Sequence, residues 1–252
     1  MPDVNASPTA DLYGQLQWLT DHFNRALFEA RLPTTILTLQ RSAHSAGHLS
    51  KSRWRHANGE SASELALNPT YFSNRPLLAL CQTIVHELCH LWQQINGHAS
   101  RPGYHNIEWA EKMEQIGLMP SSTGRPGGAK TGQKMADYPM QDGAFLRACE
   151  ELIAAKFALR WVDQGRISIT DYRSMLDTDF EVAGQISDRL LTPLCDLFPN
   201  ISAPSVRLTN SRKIKSRYRC PTCYAKTWGK QGLKIICGDC SKEFEELKTA
   251  NI

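Results

Sequence analysis

Val85-His86-Glu87-Leu88-Cys89-His90 decides how this chain is read, because it sets two histidines four residues apart inside an apolar, helix-forming run. On a helix, residues four apart share a face, so His86 and His90 can each offer an imidazole nitrogen to one metal ion, with Glu87 beside the remaining coordination position. Random ordering of this composition would produce such an H-E-x-x-H pattern only about 0.01 times. Leu80, Ile84, Leu88, Leu91 and Trp92 supply apolar surface around the polar triplet, as a buried active-site helix requires. The chemistry implied is a zinc ion that activates a water, with Glu87 as its base.

Two ligands do not complete such a centre, since a catalytic zinc takes three protein ligands and keeps one open position. Asn96-Gly97 reads as the end of the motif helix, and 99–103 as a loop that turns the chain back. A second helix is then expected from near His105, with Ile107, Trp109, Met113 and Ile116 as its apolar positions. A histidine at that start can face the motif helix, which makes His105 the first candidate for third ligand. His98 lies just beyond the first helix and reads as exposed. Glu108 and Glu111 stay open as a glutamate-ligand variant.

A second constellation sits near the other end: Cys220-Pro221-Thr222-Cys223, thirteen residues, then Cys237-Gly238-Asp239-Cys240. Two C-x-x-C knuckles at this spacing read as a four-cysteine structural zinc ribbon. Thr227-Trp228 and Leu233 to Ile236 have the character of short strands. Disulfide pairing is the competing reading; the first residues carry no charged start followed by an apolar stretch, so the thiols are expected to stay reduced. Cys81, Cys89, Cys149 and Cys195 show no ligand spacing and read as small buried thiols, with Cys89 pointing away from the His86 and His90 face.

The formal charge of +4 is small, but its distribution is uneven. Arg207 to Lys234 holds nine Lys or Arg and no Asp or Glu, and six of the nine fall between Arg207 and Arg219. Tyr218, Tyr224 and Trp228 are interleaved with them. Cations neutralise phosphates and aromatic rings stack unpaired bases, so Lys213, Lys215, Arg217, Arg219 and Trp228 are candidate contacts to single-stranded or distorted DNA. The plainer alternative is a solvated basic linker leading into a ribbon whose aromatics form its small core.

The 252 residues suffice for one sizeable core with an appendage, and no stretch reaches the eighteen or more apolar residues of a membrane span. No membrane partner is expected, and a cytoplasmic location is. Leu12, Leu16, Leu19, Phe23 and Leu27 mark a helix capped near Asp11. Three strands are expected at about 35–40, 48–55 and 63–67. Helix, small antiparallel sheet, then metal-bearing helix is an α+β layout. Residues 120–142 read by composition as a flexible basic linker, with Arg125, Lys130 and Lys134. Residues 143–205 read as helical, with Phe145, Cys149, Leu152, Ile153 and Phe157 as one stripe and Val182, Ile186, Leu190 and Leu194 as another, which Pro193 cuts short.

His86-Glu87-x-x-His90, fourteen intervening residues and His105-x-x-Glu108-Trp109 together resemble the SprT-like metalloprotease domain. Leu16-x-x-Leu19-x-x-x-Phe23-Asn24 with Phe28 is similar to that family's first helix. Ala46-Gly47-His48 and Leu65-Ala66-Leu67-Asn68 are similar to its strands, and Lys112-Met113-x-x-Ile116-Gly117-Leu118 to the segment after the third ligand. Asn106 stands where the family commonly has Gly. The resemblance covers about residues 11–118 and 216–247 and implies a zincin-like core over 1–119 and a ribbon over 206–252; the linker 120–142 and the helical segment 143–205 between them are read from composition and periodicity, and the helical segment departs from the family's compact pattern. It implies two zinc ions, one catalytic on His86, His90 and His105 with Glu87 as base, and one structural on Cys220, Cys223, Cys237 and Cys240. Proteases of the Spartan type act on proteins bound or crosslinked to DNA, in DNA repair, so the resemblance implies a DNA-tethered or DNA-activated endopeptidase. Two alternatives stand beside it: a DNA-binding regulator or scaffold whose protease site is idle, and a peptidase for free polypeptides. The edge of the sheet next to the motif helix is expected to pair with an extended substrate.

Overall fold

Ser7 and Pro8 start the first helix, α1 (Pro8–Phe28). The Ser7 hydroxyl accepts from the Ala10 N–H at 3.4 Å, and proline occupies the first turn, where its missing N–H has no intrahelical partner to lose. The helix therefore begins before Asp11, and Asp11 is not its cap. The Asp11 carboxylate is buried and accepts from Gln15 Nε2 and Trp161 Nε1, each at 2.8 Å, and from Arg160. These bonds tie the stretch around Arg160 to α1. Leu16, Leu19 and Phe23, spaced at three and four, lose all solvent exposure; each contributes roughly 1.5–3 kcal/mol of hydrophobic stabilisation. The computed structural model describes residues 7–42, 45–71, 75–163, 187–192, 194 and 216–247.

Three strands follow: β1 (Ile36–Leu39), β2 (Gly47–Arg55) and β3 (Ser61–Leu67). Their order is β1-β3-β2, with β2 antiparallel and β1 parallel to β3. The sheet is thus mixed, not antiparallel throughout. Only β2 and β3 are joined by a tight turn, closed by the His56 N–H on the Glu60 carbonyl at 2.7 Å; the chain leaving β1 crosses to the far side of β3 before β2 begins. Leu65 and Leu67 of β3 enter the core, and β2 is an edge strand among the described residues.

The motif helix α2 (Leu77–Asn96) ends at Gly97 and packs against β2, α1 and the short helix α3 (Ile107–Gln115). Trp109, Met113 and Ile116 of that region are buried, whereas Ile107 is exposed and is not a core position. Gly117 makes the turn out of α3 at φ +91°, and a Cβ there would lie 2.8 Å from the Ala144 nitrogen. A residue with a side chain would meet both strain and backbone.

The stretch 120–142 is not an unstructured linker among the described residues. β4 (Leu118–Ser121) and β5 (Ala136–Pro139) pair antiparallel from Leu118↔Pro139 to Ser121↔Ala136, and turns closed by Ser121 Oγ and Ser122 Oγ fill the loop between them. The small residues that suggested a linker are used for tight turns here. Helix α4 (Ala144–Ala154) buries Phe145, Cys149 and Leu152 against α1, with Ala148 O and His22 Nε2 at 2.9 Å. A short helix α5 (Asp188–Leu191) buries Leu190, and Leu194 is buried beyond it. Val182, Ile186, Pro193 and Cys195 lie outside the described residues. No described helix is long and apolar enough to cross a membrane.

The chain divides into two compact units, Met1–Val206 and Arg207–Ile252. The second holds β6 (Ser216–Arg219), β7 (Lys226–Gly229) and β8 (Glu245–Leu247) in the order β7-β6-β8, all antiparallel. Leu233 to Ile236 forms no strand; it contributes one isolated bridge, Ile236↔Glu243, and both Leu233 and Ile236 are exposed. The third strand is Glu245–Leu247, which its glutamates hid from a propensity reading.

Candidate metal centres

One turn of α2 separates His86 from His90, and the chain that turns back after Gly97 brings His105 to face them. The His105 Nε2 atom lies 3.2 Å from His86 Nε2 and 3.1 Å from His90 Nε2. The outer nitrogens are already committed. His86 Nδ1 donates to Asp137 Oδ2 at 3.1 Å, and His105 Nδ1 donates to the Gly132 carbonyl at 3.2 Å. Each neutral imidazole has a single proton, so the Nε2 atoms of His86 and His105 meet as two lone pairs with no proton between them. A cation resolves that conflict. A tetrahedral zinc with bonds of about 2.0–2.1 Å separates its ligand nitrogens by roughly 3.3 Å, close to the observed spacings.

Charge in the pocket points the same way. Burial and the neighbouring imidazoles hold His90 at a pKa of about 2 and His105 at about 4, so both are neutral donors. Burial also opposes a charge on His86, but the Asp137 hydrogen bond and the charges of Glu87 and Asp137 outweigh it and raise its pKa. Two neutral imidazoles thus converge with His86, whose outer nitrogen has the Asp137 carboxylate behind it. Trp109, fully buried, forms the floor beneath all three rings, at centroid distances of 4.9 Å to His86, 5.4 Å to His90 and 4.4 Å to His105.

Glu87 points to the other side of the cleft, toward β2. A Cβ on Gly47 would lie 2.9 Å from Thr83 Cγ2 and 3.5 Å from Glu87 Cγ, so glycine there lets the edge strand lie against the motif helix. The Leu49 backbone N–H faces the Glu87 carboxylate and favours its charged form. Burial pushes its pKa up, against the pull of His86 and of that N–H. A buried carboxylate with a raised pKa is suited to taking a proton near neutrality.

The other third-ligand candidates are turned elsewhere. Glu108 accepts from Gln93 Nε2 at 2.8 Å and from the His98 N–H at 2.7 Å, Glu111 is exposed, and the His98 side chain is fully exposed. Asn106 has a structural task of its own. Its Oδ1 caps α3 through the Trp109 N–H at 3.1 Å and accepts from Gln93 Nε2 at 2.6 Å, while its Nδ2 donates to the His98 carbonyl at 3.0 Å. That cap fixes the chain one residue after His105. Cys89 is buried with Sγ toward the Trp109 carbonyl, and burial raises its pKa far above an ordinary thiol, so it belongs to the core.

In the second unit, the sulfurs of Cys220, Cys223, Cys237 and Cys240 all lie within 4.8 Å of one another, with 3.6 Å between Cys223 and Cys237. Backbone N–H groups of Cys223 and Thr222 hold Cys220 at a pKa of about 7, which makes its thiolate available to a metal. A four-thiol donor set of this kind is compatible with structural zinc. Tyr218 is the core of the ribbon, buried, donating to the Lys230 carbonyl at 2.5 Å and accepting from the Leu233 N–H at 3.0 Å. Trp228 and Tyr224 are not core: they are 60% and 63% exposed, with the Arg217 guanidinium 5.9 Å from the Trp228 ring and that of Arg219 5.5 Å from Tyr224. Lys213 and Lys215 lie outside the described residues.

Asp137, Gly132 and Gln82 carry no periodic or motif signal in the sequence, and only the fold brings them to the histidines. Trp109 could be read as an apolar helix position, but not as the floor of the site. No curated protein and no solved structure matches the chain. Residues 16–127 do match the model of the SprT-like family, a span that holds Glu87 and all three histidines.

Proposed function

We propose that this chain is a zinc-dependent endopeptidase that acts on proteins bound or crosslinked to DNA and is held to DNA by its ribbon. The observation that carries the reading is the convergence of three imidazole Nε2 atoms beside a buried glutamate, in a segment that matches the SprT-like family. His86, His90 and His105 would hold the ion. A zinc ion in this place polarises a peptide carbonyl and acidifies a water. Glu87 accepts the proton from the attacking water and returns it to the leaving amine. The edge strand β2 runs past Glu87, so a substrate strand added there would present its carbonyls along the cleft.

The DNA part of the reading rests on the ribbon. Arg217 and Arg219 are two residues apart on one strand and share the face opposite buried Tyr218. Each lies against an exposed ring, and such a pair can neutralise a phosphate and stack a base together. Trp228 is paired directly across from Arg217.

The test is cleavage of a DNA-binding protein, with and without single-stranded DNA, by zinc-loaded wild type and by Glu87→Gln. The expected result is DNA-dependent fragments with wild type and none with the variant. DNA binding without cleavage would shift the reading to a regulator with an idle site; equal cleavage of a free unstructured polypeptide without DNA would shift it to a general peptidase.

A further inference from the structure

We infer that Asp137, held by Gln82 and carried on the β4–β5 hairpin, is a positioning residue of the histidine centre, and that this hairpin fixes the imidazoles of His86 and His105 for their metal. The inference rests on the zinc reading of His86, His90 and His105 given above.

The hairpin approaches the centre at two points. At the first, Gly132 and His105 exchange backbone hydrogen bonds, His105 N–H to Gly132 O at 2.8 Å and Gly132 N–H to His105 O at 3.0 Å. The same Gly132 carbonyl also accepts from His105 Nδ1 at 3.2 Å, so one backbone group fixes both the chain and the ring of this ligand. At the second, Asp137 Oδ2 accepts from His86 Nδ1 at 3.1 Å. The Asp137 side chain is only 7% exposed. It is held in turn from α2: Gln82 Nε2, one turn before His86, donates to Asp137 Oδ1 at 3.0 Å and to its carbonyl at 3.2 Å. Both carboxylate oxygens are thereby assigned, one to the ligand and one to the group that orients the carboxylate.

Such partners do three things for a metal-binding imidazole. They choose the tautomer with Nε2 free, they set the plane of the ring, and they raise the basicity of the ligating nitrogen through the negative charge behind it. His86 sits on a helix that its own packing fixes, but its ring torsion is not fixed by the helix; the carboxylate supplies that restraint. His105 precedes α3 and has no helix of its own, so its restraint comes from Gly132. Residues 118–139 therefore complete a centre whose ligands all lie outside them.

The experiment compares zinc affinity in the full-length protein, by competition with a chromophoric chelator, for wild type, Asp137→Ala, Asp137→Asn and Gln82→Ala. The four-cysteine centre serves as an internal reference. Asp137→Ala is expected to weaken the histidine centre by about 10–100-fold and to leave the cysteine centre unchanged. Asp137→Asn, which keeps an acceptor without charge, should lose less, and Gln82→Ala should move affinity in the same direction by a smaller factor. Cobalt substituted into the histidine centre should show an altered visible spectrum in Asp137→Ala, while the unfolding temperature of the metal-free protein stays near that of wild type. Affinity within twofold of wild type in Asp137→Ala, or equal weakening at both centres, overturns the inference. A wild type that takes up zinc only at its cysteines overturns both this inference and the zinc reading beneath it. Loss of the protease reading alone, by cleavage that persists in Glu87→Gln, leaves these affinities as they are.

Discussion

Glu87 and His105 are the two residues whose replacement separates chemistry from metal binding. Glu87 is buried and touches the Leu49 N–H, but it is not among the three converging nitrogen ligands. Glu87→Gln should therefore retain both zinc ions while turnover falls about 10²–10⁴-fold, the usual contribution of a placed general base; metal content by atomic emission beside a cleavage assay reads both. His105 is the opposite case. Its Nε2 closes the cluster, so His105→Ala should reduce the zinc content from two to one per chain, whereas His98→Ala, at a fully exposed side chain, should leave it at two. Zinc lost from the His98 variant and kept in the His105 variant would reverse the assignment. From the sequence, the third ligand was a choice among residues within one short stretch. In the fold it is His105 whose nitrogen lies with those of His86 and His90, while Glu108 accepts from Gln93 and the His98 N–H.

Elements differ in how much of themselves the sequence shows, and α3 illustrates how a short one is held. Asn106 caps it and also receives Gln93, so Asn106→Ala should cost about 0.5–2 kcal/mol of stability and weaken zinc binding through the adjoining His105, measurable by urea unfolding with and without metal. The start of α1 offers a pH test. Partial burial of Asp11 raises its pKa, but bonds from Trp161, Gln15 and Arg160 more than offset this and hold it below the usual carboxylate value. A depressed folded pKa means its contribution is complete above the unfolded value of about 3.9 and is lost as pH falls through the folded value. The stability gap between wild type and Asp11→Asn should thus be widest near about pH 7 and close in acid. Long amphipathic helices such as α1 and α2 were legible because Leu16, Leu19 and Phe23, or Leu80, Ile84 and Leu88, repeat at helical spacing. The β4–β5 hairpin was not. Its strands have four residues each, its loop is rich in Gly and Ser, and its decisive contact, Asp137 to His86, spans 51 positions. The parallel pairing of β1 with β3 was hidden for the same reason: sequence neighbours suggest hairpins, and only packing shows that β3 lies between β1 and β2.

At the scale of the whole molecule, two chemistries reside in two compact units, and the boundary between them falls at Val206 and Arg207. A protease with an open sheet edge reads backbone more than side chains, and selectivity must then come from elsewhere. Under the proposed function, a ribbon that held DNA would raise the effective concentration of DNA-bound proteins at the cleft without any new interaction at the cleft itself. This division of labour makes a specific prediction for Arg217→Ser, Arg219→Ser and Trp228→Ala combined. None of the three is a sulfur ligand or the buried Tyr218, so the structural zinc should stay bound. Affinity for single-stranded DNA should fall, and its dependence on salt should flatten by about 1.4 in the log–log slope, because two phosphates are no longer neutralised by arginine. Cleavage of a DNA-bound protein should fall in proportion, while cleavage of a free, unstructured polypeptide should keep its rate. If both substrates are affected equally, the ribbon acts on the fold or chemistry of the protease and not as a tether; if DNA affinity and salt slope stay as in wild type, the exposed rings and their arginines serve some other partner.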